Sequence, residues 1–247
     1  MFEVVGVLSA GVAAGAVNAV VGSGTLITFP TLLAFGLPPL TATVSNTVGL
    51  APGSLSGAWG YRRELAGQRQ RLIRLGSASV LGAIGGVLLL LQLPASAFET
   101  IVPVLVSLGI VLVLAQPWIS KKVAHRRSGR AHGGPVVWGL VGLTGVYGGY
   151  FAAAQGVVLT AILGIGLDES LQRVNAAKNV LVSLVNVVAA LAYISFAPVS
   201  WTHIGLLAVG SVLGGQLGAL VGRRLPPWLL RGVIAVVGAI AVVILLR

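Results

Sequence analysis

Hydrophobic residues in this chain come in long runs that short polar segments separate. The runs lie at roughly 4–35, 42–60, 75–93, 98–115, 135–167, 174–195, 203–222 and 229–246. Crossing the hydrocarbon core of a bilayer takes about 20 apolar helical residues, and the backbone of a spanning segment must satisfy its own polar groups. The pattern therefore predicts an all-α integral membrane protein in which each run is helical.

Two of the runs, 4–35 and 135–167, have an unusual length. About 32 residues form a helix of about 48 Å, which is too long for one crossing of about 30 Å and too short for two. Glycine interrupts helices, so we expect breaks at Gly22-Ser23-Gly24 and between Tyr147 and Gly156. Each long run should then form a hairpin of two helical pieces.

The two hairpins occupy matching places in an internal repeat. Sliding the sequence on itself until Gly24 lies on Gly156 also superposes Thr28 on Thr160, Val48 on Val180 and Tyr61 on Tyr193; we call this offset the repeat shift. The same shift superposes a polar set, Thr43, Asn46, Thr47 and Ser54, on Asn175, Lys178, Asn179 and Asn186. We therefore expect two transmembrane repeats, 1–116 and 135–247, each a hairpin followed by three helices, with a basic connector at 117–134.

The charged residues predict how these repeats are oriented. Only 9% of residues are charged, against about 25% in soluble domains, and the net charge of +11 lies in short loops, which does not suit nucleic acid. The loop 62–74 and the connector are rich in Arg and Lys, which places both in the cytoplasm. If each hairpin returns to the side it entered, four more arginines become cytoplasmic, namely Arg173, Arg223, Arg224 and Arg231.

In that arrangement, which we prefer, the two repeats are inverted and both termini lie outside. Met1 to Glu3 lead directly into the first apolar run without a basic segment, so we expect the N-terminus to be retained rather than cleaved as a signal peptide. The expected location is a cell membrane, which the chain crosses several times.

Inverted repeats with broken helices are the architecture of secondary transporters, which bind substrate near the membrane midplane between the repeats. A helix that starts at a break presents free N–H groups and a positive dipole end, both of which favour an anion. Polar residues facing lipid are costly, so the polar sets should turn inward. The candidate substrate-binding residues are Asn18, Ser23, Gly24, Thr43, Asn46, Thr47, Tyr150, Gln155, Gly156, Asn175, Lys178 and Asn179.

Several of these residues have a second interpretation. Lys178 lies within an apolar run, and its ammonium either attracts a small oxyanion beside Asn175 and Asn179 or extends to the membrane surface. The asparagines either bind substrate or join helices by hydrogen bonds. Asn18 and Tyr150, which coincide in the repeat, either line the cavity or have a capping or packing role.

The absence of cysteine excludes disulfides, thiolate nucleophiles and cysteine-ligated metals. We expect no cofactor, no metal and no enzymatic activity.

An intramembrane serine protease built on Ser23 would need a base, and His203 at the edge of its run is the only histidine near a span. A third alternative is a noncatalytic membrane scaffold, but that function would not explain the paired helix breaks and the repeated polar residues. The expected partners are a small anionic substrate and membrane lipid, not nucleic acid. The sequence does not decide whether the protein forms a homo-oligomer.

The segments 15–36 and 142–166 resemble the TauE/SafE sulfite exporter family of bacterial membrane permeases. The resemblance extends to Pro38-Pro39, to Tyr61-Arg62-Arg63 and to residues 175–193. The chain departs from the family's pattern where Gly22-Ser23-Gly24-Thr25 forms the first break, and where Ala152 and Ala154 replace frequent glycines. The resemblance implies a place in the bacterial inner membrane and export or uptake of small sulfur-containing anions such as sulfite, sulfoacetate or other organosulfonates. The residues leave another small anion or a neutral solute open.

Overall fold

The computed structural model describes residues 1–125 and 133–221, and these residues form α-helices joined by short loops. The helices are α1 (Phe2–Val20), α2 (Thr25–Ala34), α3 (Pro39–Gly60), α4 (Arg69–Gln92), α5 (Ala95–His125), α6 (Pro135–Tyr150), α7 (Gln155–Gly166), α8 (Leu171–Phe196) and α9 (Trp201–Val221), with one 3₁₀ turn at Arg62–Leu65. The predicted run at 229–246, part of the connector, and Arg223, Arg224 and Arg231 lie outside the described residues.

The helices have the lengths and surfaces of a membrane protein. Five of those described are long and apolar enough to span a bilayer, and the short helices α2 and α7 are also apolar. Large apolar side chains such as Trp59, Val104 and Leu191 are about two-thirds exposed. In water such a surface would be unstable, whereas in lipid it is the expected outer face.

Both predicted helix breaks are confirmed. The first long run is interrupted between Val20 and Thr25, and the second between Tyr150 and Gln155. At about 1.5 Å per residue, α1 is about 28 Å long and α2 about 15 Å. Neither hairpin therefore makes two full crossings.

The two ends of each hairpin lie close together. A Cβ built on Gly6, near the start of α1, would lie 2.8 Å from the ring of Phe35, just after α2. In the second hairpin, a Cβ built on Gly166 at the end of α7 would lie 2.4 Å from Val137 at the start of α6. Each long run therefore folds back on itself, and its two ends lie at one end of the helix assembly.

Glycines bring the hairpins close to the other helices. A Cβ built on Gly214 of α9 would lie 2.0 Å from the carbonyl oxygen of Val12 in α1, and one on Gly82 of α4 would lie 2.1 Å from that of Gly142 in α6. Gly82 and Gly214 are related by the repeat shift. Backbones approach this closely only where side chains are absent, as is usual between membrane helices.

Two groups of polar contacts mark opposite ends of the helices. At the end we call the basic end, Arg71 and Arg173 contact Glu169 at 2.9 and 2.6 Å, and the Arg74 guanidinium donates to the Gly133 carbonyl at 3.1 Å. At the opposite end, His203 Nε2 lies 2.8 Å from Glu3 Oε1. The starts of α4 and α8 thus lie at the same end of the helices.

A buried polar centre where two broken helices meet

The two breaks touch each other inside the helix assembly. The backbone N–H of Gly156 donates a hydrogen bond of 3.0 Å to the carbonyl oxygen of Gly22. A Cβ built on Gly22 would lie only 2.4 Å from the Gly156 Cα, so the chains cross with no room for a side chain. We call residues 22–24 together with Gln155 and Gly156 the crossing.

The backbone at the crossing is held in uncommon conformations. Gly22 has φ +84°, and Ala152 and Ala154 have φ +63° and +56°. A left-handed backbone conformation costs an L-residue roughly 1–2 kcal/mol. The packing around Ala152 and Ala154 must therefore stabilise this conformation in both alanines. The Tyr147 hydroxyl donates to the Ala153 carbonyl between them, which ties the second break to its own hairpin.

Several predicted site residues carry buried polar atoms without a hydrogen-bond partner in the described part of the chain. They are Ser23 Oγ, Thr43 Oγ1, Tyr150 Oη and both amide atoms of Gln155. Ser23 and Gln155 flank the Gly22–Gly156 contact directly, and the Gln155 amide packs against Gly148. Leaving such a group unsatisfied costs about 1–3 kcal/mol, so these atoms are the ones a polar ligand would satisfy.

Lys178, Asn175 and Asn179 converge on the end of α1. The Lys178 ammonium is fully buried and donates to the carbonyl oxygens of Asn18 at 3.2 Å and Ala19 at 3.4 Å. The side-chain amides of Asn175 and Asn179 donate to Ala19 O at 3.2 and 3.1 Å. The last carbonyls of a helix lack internal partners and carry the negative end of its dipole, so these donors stabilise the broken end of α1.

This geometry decides one open point about Lys178. The interpretation in which its side chain extends to the membrane surface is wrong, because the ammonium lies inside the protein on two carbonyl groups. A lysine ammonium has three N–H donors, and two of them are used here. The third has no partner among the described residues, which keeps the anion-binding hypothesis open.

The polar set on α3 serves a different contact. The Asn46 amide donates to Thr25 Oγ1 at 3.3 Å and accepts a hydrogen bond from the Thr28 hydroxyl, which fixes α3 against the start of α2. Thr47 donates to the Thr43 carbonyl of its own helix at 3.0 Å. The hydroxyl of Thr47 is thus used within its own helix, and no contact of Thr47 points to a substrate.

The remaining predicted residues act through their backbone or stand nearby. Gly24 precedes α2 and leaves room for the Ala14 carbonyl, which a Cβ would meet at 2.5 Å. The carbonyl group of Asn18 accepts from Lys178. The ring of Tyr150 packs with that of Phe98 at 5.9 Å between centroids.

Sequence reasoning missed three contributors to this centre. Gly22 makes the contact between the breaks, Ala19 supplies the shared carbonyl oxygen, and Tyr193 donates through its hydroxyl to the Gly149 carbonyl near the end of α6. Tyr193 had a usable signal, since it coincides with Tyr61 in the repeat. A backbone acceptor such as Ala19 has no signal in its side chain.

The surroundings of Ser23 do not resemble a catalytic centre. Its hydroxyl has no hydrogen-bond partner among the described residues. His203, the nearest candidate base in the sequence, contacts Glu3 and Ser200 at the far end of the helices. The described residues also contain no group of three His, Cys, Asp or Glu side chains that could hold a metal ion.

Broken helices that meet at a buried polar centre, in a multi-pass α-helical membrane protein, are typical of membrane transporters. Comparison with known proteins specifies the family. The sequence model of the family described as sulfite exporter TauE/SafE matches residues 7–245, so the chain belongs to that family. No solved structure matches this chain.

Curated relatives of this chain are named as membrane transporters. The "Probable membrane transporter protein YfcA" of Escherichia coli K12 is 26% identical over 92% of this chain and 83% of its own length. The "Probable membrane transporter protein YdhB" of Bacillus subtilis is 26% identical and covers 91% of each chain. A "Probable membrane transporter protein" of Haemophilus influenzae is 25% identical over 85% of this chain and 81% of its own.

Proposed function

We propose that this protein is a secondary transporter that exports small sulfur-containing anions such as sulfite, sulfoacetate or other organosulfonates. Substrate binds at the crossing near the membrane midplane, and the two halves expose it to either side in turn. The description of the family supports this substrate class. The structure supports an internal polar site that two broken helices build together, as in other secondary transporters.

We further propose that the halves, 1–116 and 135–247, are inverted repeats joined by a cytoplasmic connector at 117–134. In support, α1 starts beside the Glu3–His203 contact, whereas α6 starts beside Arg74 at the basic end. The two hairpins thus enter from opposite ends. Because basic loops favour the cytoplasm, the basic end is the cytoplasmic one and the N-terminus lies outside.

The observation that carries the anion proposal is the set of unpartnered hydroxyl and amide groups at and around the crossing. Sulfite and sulfonate oxygens accept several hydrogen bonds, and Ser23, Tyr150 and Gln155 can donate them. The carboxylates whose side chains the structure describes lie at the helix ends rather than at the crossing, and Lys178 contributes a positive charge nearby. This electrostatic balance favours an anion over a cation.

A second candidate function keeps the same site for another small anion or for a neutral solute. It is favoured by the contacts of Lys178, whose ammonium already donates to two carbonyl groups of α1. A structural Lys178 would leave the crossing with neutral donors and acceptors only. Binding of chloride or of an uncharged solute in place of sulfite would favour this candidate.

Calorimetric titration of the purified protein with sulfite, sulfoacetate and chloride tests the proposal. We expect saturable binding of a sulfur oxyanion, weakened roughly tenfold in Ser23→Ala, because a hydrogen bond to a charged ligand contributes about 1.5 kcal/mol. Ser79→Ala is the matched control, since Ser79 is equally buried and also lacks a partner but lies on α4. Absence of binding, or equal weakening in both variants, contradicts the proposal.

A further inference from the structure

The Lys178 ammonium sits where secondary transporters bind a coupling ion. In such proteins the C-terminal ends of broken helices and their carbonyl groups coordinate Na⁺ or H⁺. Here the broken helix is α1, and its Asn18 and Ala19 carbonyl oxygens lie 3.2 and 3.4 Å from Lys178 Nζ. A cation attached to α8 therefore occupies the negative end of α1.

The surroundings of Lys178 contain neutral dipoles and no ion-pair partner among the described residues. Asn175 and Asn179 share the Ala19 carbonyl with it. Charged or titratable groups are also described on the elements that pack against α8. They are Glu3 on α1, Tyr61 after α3, and Arg62, Arg63 and Glu64 in the 3₁₀ turn, together with Arg69, Arg71 and Arg74 on α4, Asp168 and Glu169 before α8, and Tyr147 and Tyr150 on α6. None of them bonds to Lys178, so helix carbonyls alone compensate its charge.

The two halves differ at this position. The repeat shift places Asn46 opposite Lys178, and Asn46 bonds to Thr25 and Thr28 of α2 rather than to the end of a broken helix. The corresponding end of α6 receives the Tyr193 hydroxyl at Gly149. One broken end is thus compensated by a cation and the other by a neutral donor.

We propose that the Lys178 ammonium is a built-in cation at the carbonyl site of α1, which makes transport independent of Na⁺ and links it to protonation of this amine. The linkage rests on the transport function proposed above. The amine takes one proton from water on one side of the membrane and releases it to water on the other. Substrate and proton then move together, because the charged amine attracts the anion and the neutral amine does not.

Two features make this chemically reasonable. An ammonium that is buried without a carboxylate exchanges its proton far more readily than an arginine guanidinium, which stays charged. The acceptors of Lys178 are the last carbonyls of α1, and a movement of the first hairpin relative to α8 would change their distance from Nζ. That movement would change the protonation of the Lys178 amine together with the side of the membrane to which the substrate site is open.

Cation rescue tests the carbonyl site without any substrate. Lys178→Ala removes the ammonium and leaves room beside the Asn18 and Ala19 carbonyls. We expect methylammonium or Na⁺ to raise its thermal midpoint in a saturable way, by about 3–6 °C at ten times the dissociation constant, and to leave the wild type unchanged. Lys178→Met fills the space with an apolar chain and should not respond. Equal responses of wild type and Lys178→Ala, or none in Lys178→Ala, overturn the cation site.

Flux measurements test the linkage and use a variant that keeps the charge. In proteoliposomes, labelled sulfite flux should be equal in Na⁺ and choline media, and each unit of imposed pH gradient should change its accumulation by about tenfold for one coupled proton. Lys178→Arg keeps a positive charge that does not titrate, so the sulfite flux that it supports should not respond to the pH gradient. A requirement for Na⁺, or a full pH response in Lys178→Arg, overturns the proposal.

The two experiments separate this inference from the proposed function. If the wild type moves no sulfur anion, the substrate proposal fails, while rescue of Lys178→Ala still decides whether the carbonyl site accepts a cation. If Lys178→Ala does not fold, Lys178→Arg decides the linkage by flux. Rescue combined with an unchanged pH response in Lys178→Arg would contradict the proton linkage.

Discussion

Gly22 and Gly36 have almost the same backbone conformation, with φ of +84° and +86°, but very different neighbours. A Cβ on Gly22 would meet the Gly156 backbone at 2.4 Å, whereas nothing lies within 4 Å of one on Gly36. We expect Gly36→Ala to cost only the roughly 1–2 kcal/mol of left-handed backbone. Gly22→Ala should cost clearly more, because the two breaks must separate. Thermal unfolding in detergent measures both.

The comparison of these variants isolates the contact, since the conformational cost is common to both. Equal destabilisation would mean that the breaks do not touch as described. A functional readout sharpens the test, because Gly22→Ala should also abolish anion binding while Gly36→Ala retains it.

At the level of single residues, the sequence identified the side chains of the polar centre better than their partners. Ser23 and Gln155 follow from the glycine-rich breaks, and Lys178 from its place in an apolar run. Their partners could not be predicted in the same way, because Lys178 binds carbonyl groups that every residue possesses. The bonds from Asn46 to Thr25 and Thr28 could not be predicted either, and its contact with a substrate stays a prediction.

Among the helices, the packing of α1 against α9 depends on glycine at one position and not at another. A Cβ on Gly214 would lie 2.0 Å from the Val12 carbonyl, while nothing lies within 4 Å of one on Gly205. We expect Gly214→Ala to lower the thermal midpoint strongly. Gly205→Ala should be neutral or stabilising by up to about 1 kcal/mol, since alanine favours helix. Similar losses in both variants would contradict the close packing of α1 and α9.

The ion pairs at the basic end predict how stability depends on pH. Burial alone would raise the pKa of Glu169, but hydrogen bonds and the charges of Arg173 and Arg71 bring it below its ordinary value of 4.5. A carboxyl group with a lowered pKa stabilises the fold above its unfolded pKa, and this contribution is lost as pH falls through the folded pKa. The contacts that join α4 to the start of α8 should therefore weaken as the pH falls below 4.5 and through the lowered pKa of Glu169.

Glu169→Gln removes the titrating group and keeps the shape of the side chain. We expect the thermal midpoint of the wild type to exceed that of the variant at pH 7, and the difference to shrink progressively towards pH 3. A difference that is unchanged between these pH values would exclude Glu169 as its source.

The order of helices and the position of both breaks followed from run lengths and glycine spacing, which depend on local chain properties. The exact start of each helix within the repeat could not be predicted in this way. The starts of α3 and α8, Pro39 and Leu171, are related by the repeat shift, but α7 begins at Gln155, two positions before the counterpart of Thr25 at the start of α2. The difference arises because α7 has 12 residues and α2 has 10, while both helices end at matching positions of the repeat.

For the whole molecule, the account predicts the orientation in the membrane. The chain has no cysteine, so a single introduced thiol reports its own position. Gln70 and Gln92 are exposed residues at the two ends of α4. In intact cells, a membrane-impermeant maleimide should label Gln92→Cys and should reach Gln70→Cys only after the membrane is opened. The reverse pattern would place the basic end outside.

The central claim is that the crossing of the two breaks carries a small sulfur oxyanion through the membrane. The most direct test is the flux of labelled sulfite into proteoliposomes that contain the wild type, Gln155→Leu or Gln216→Leu. Gln155 is buried at the crossing without a partner among the described residues, whereas Gln216 bonds to Ser56 between α9 and α3. We predict flux well above that of empty liposomes for the wild type and Gln216→Leu, and at least about tenfold slower flux for Gln155→Leu. Wild-type flux no faster than that of empty liposomes, or undiminished flux in Gln155→Leu, would contradict the claim.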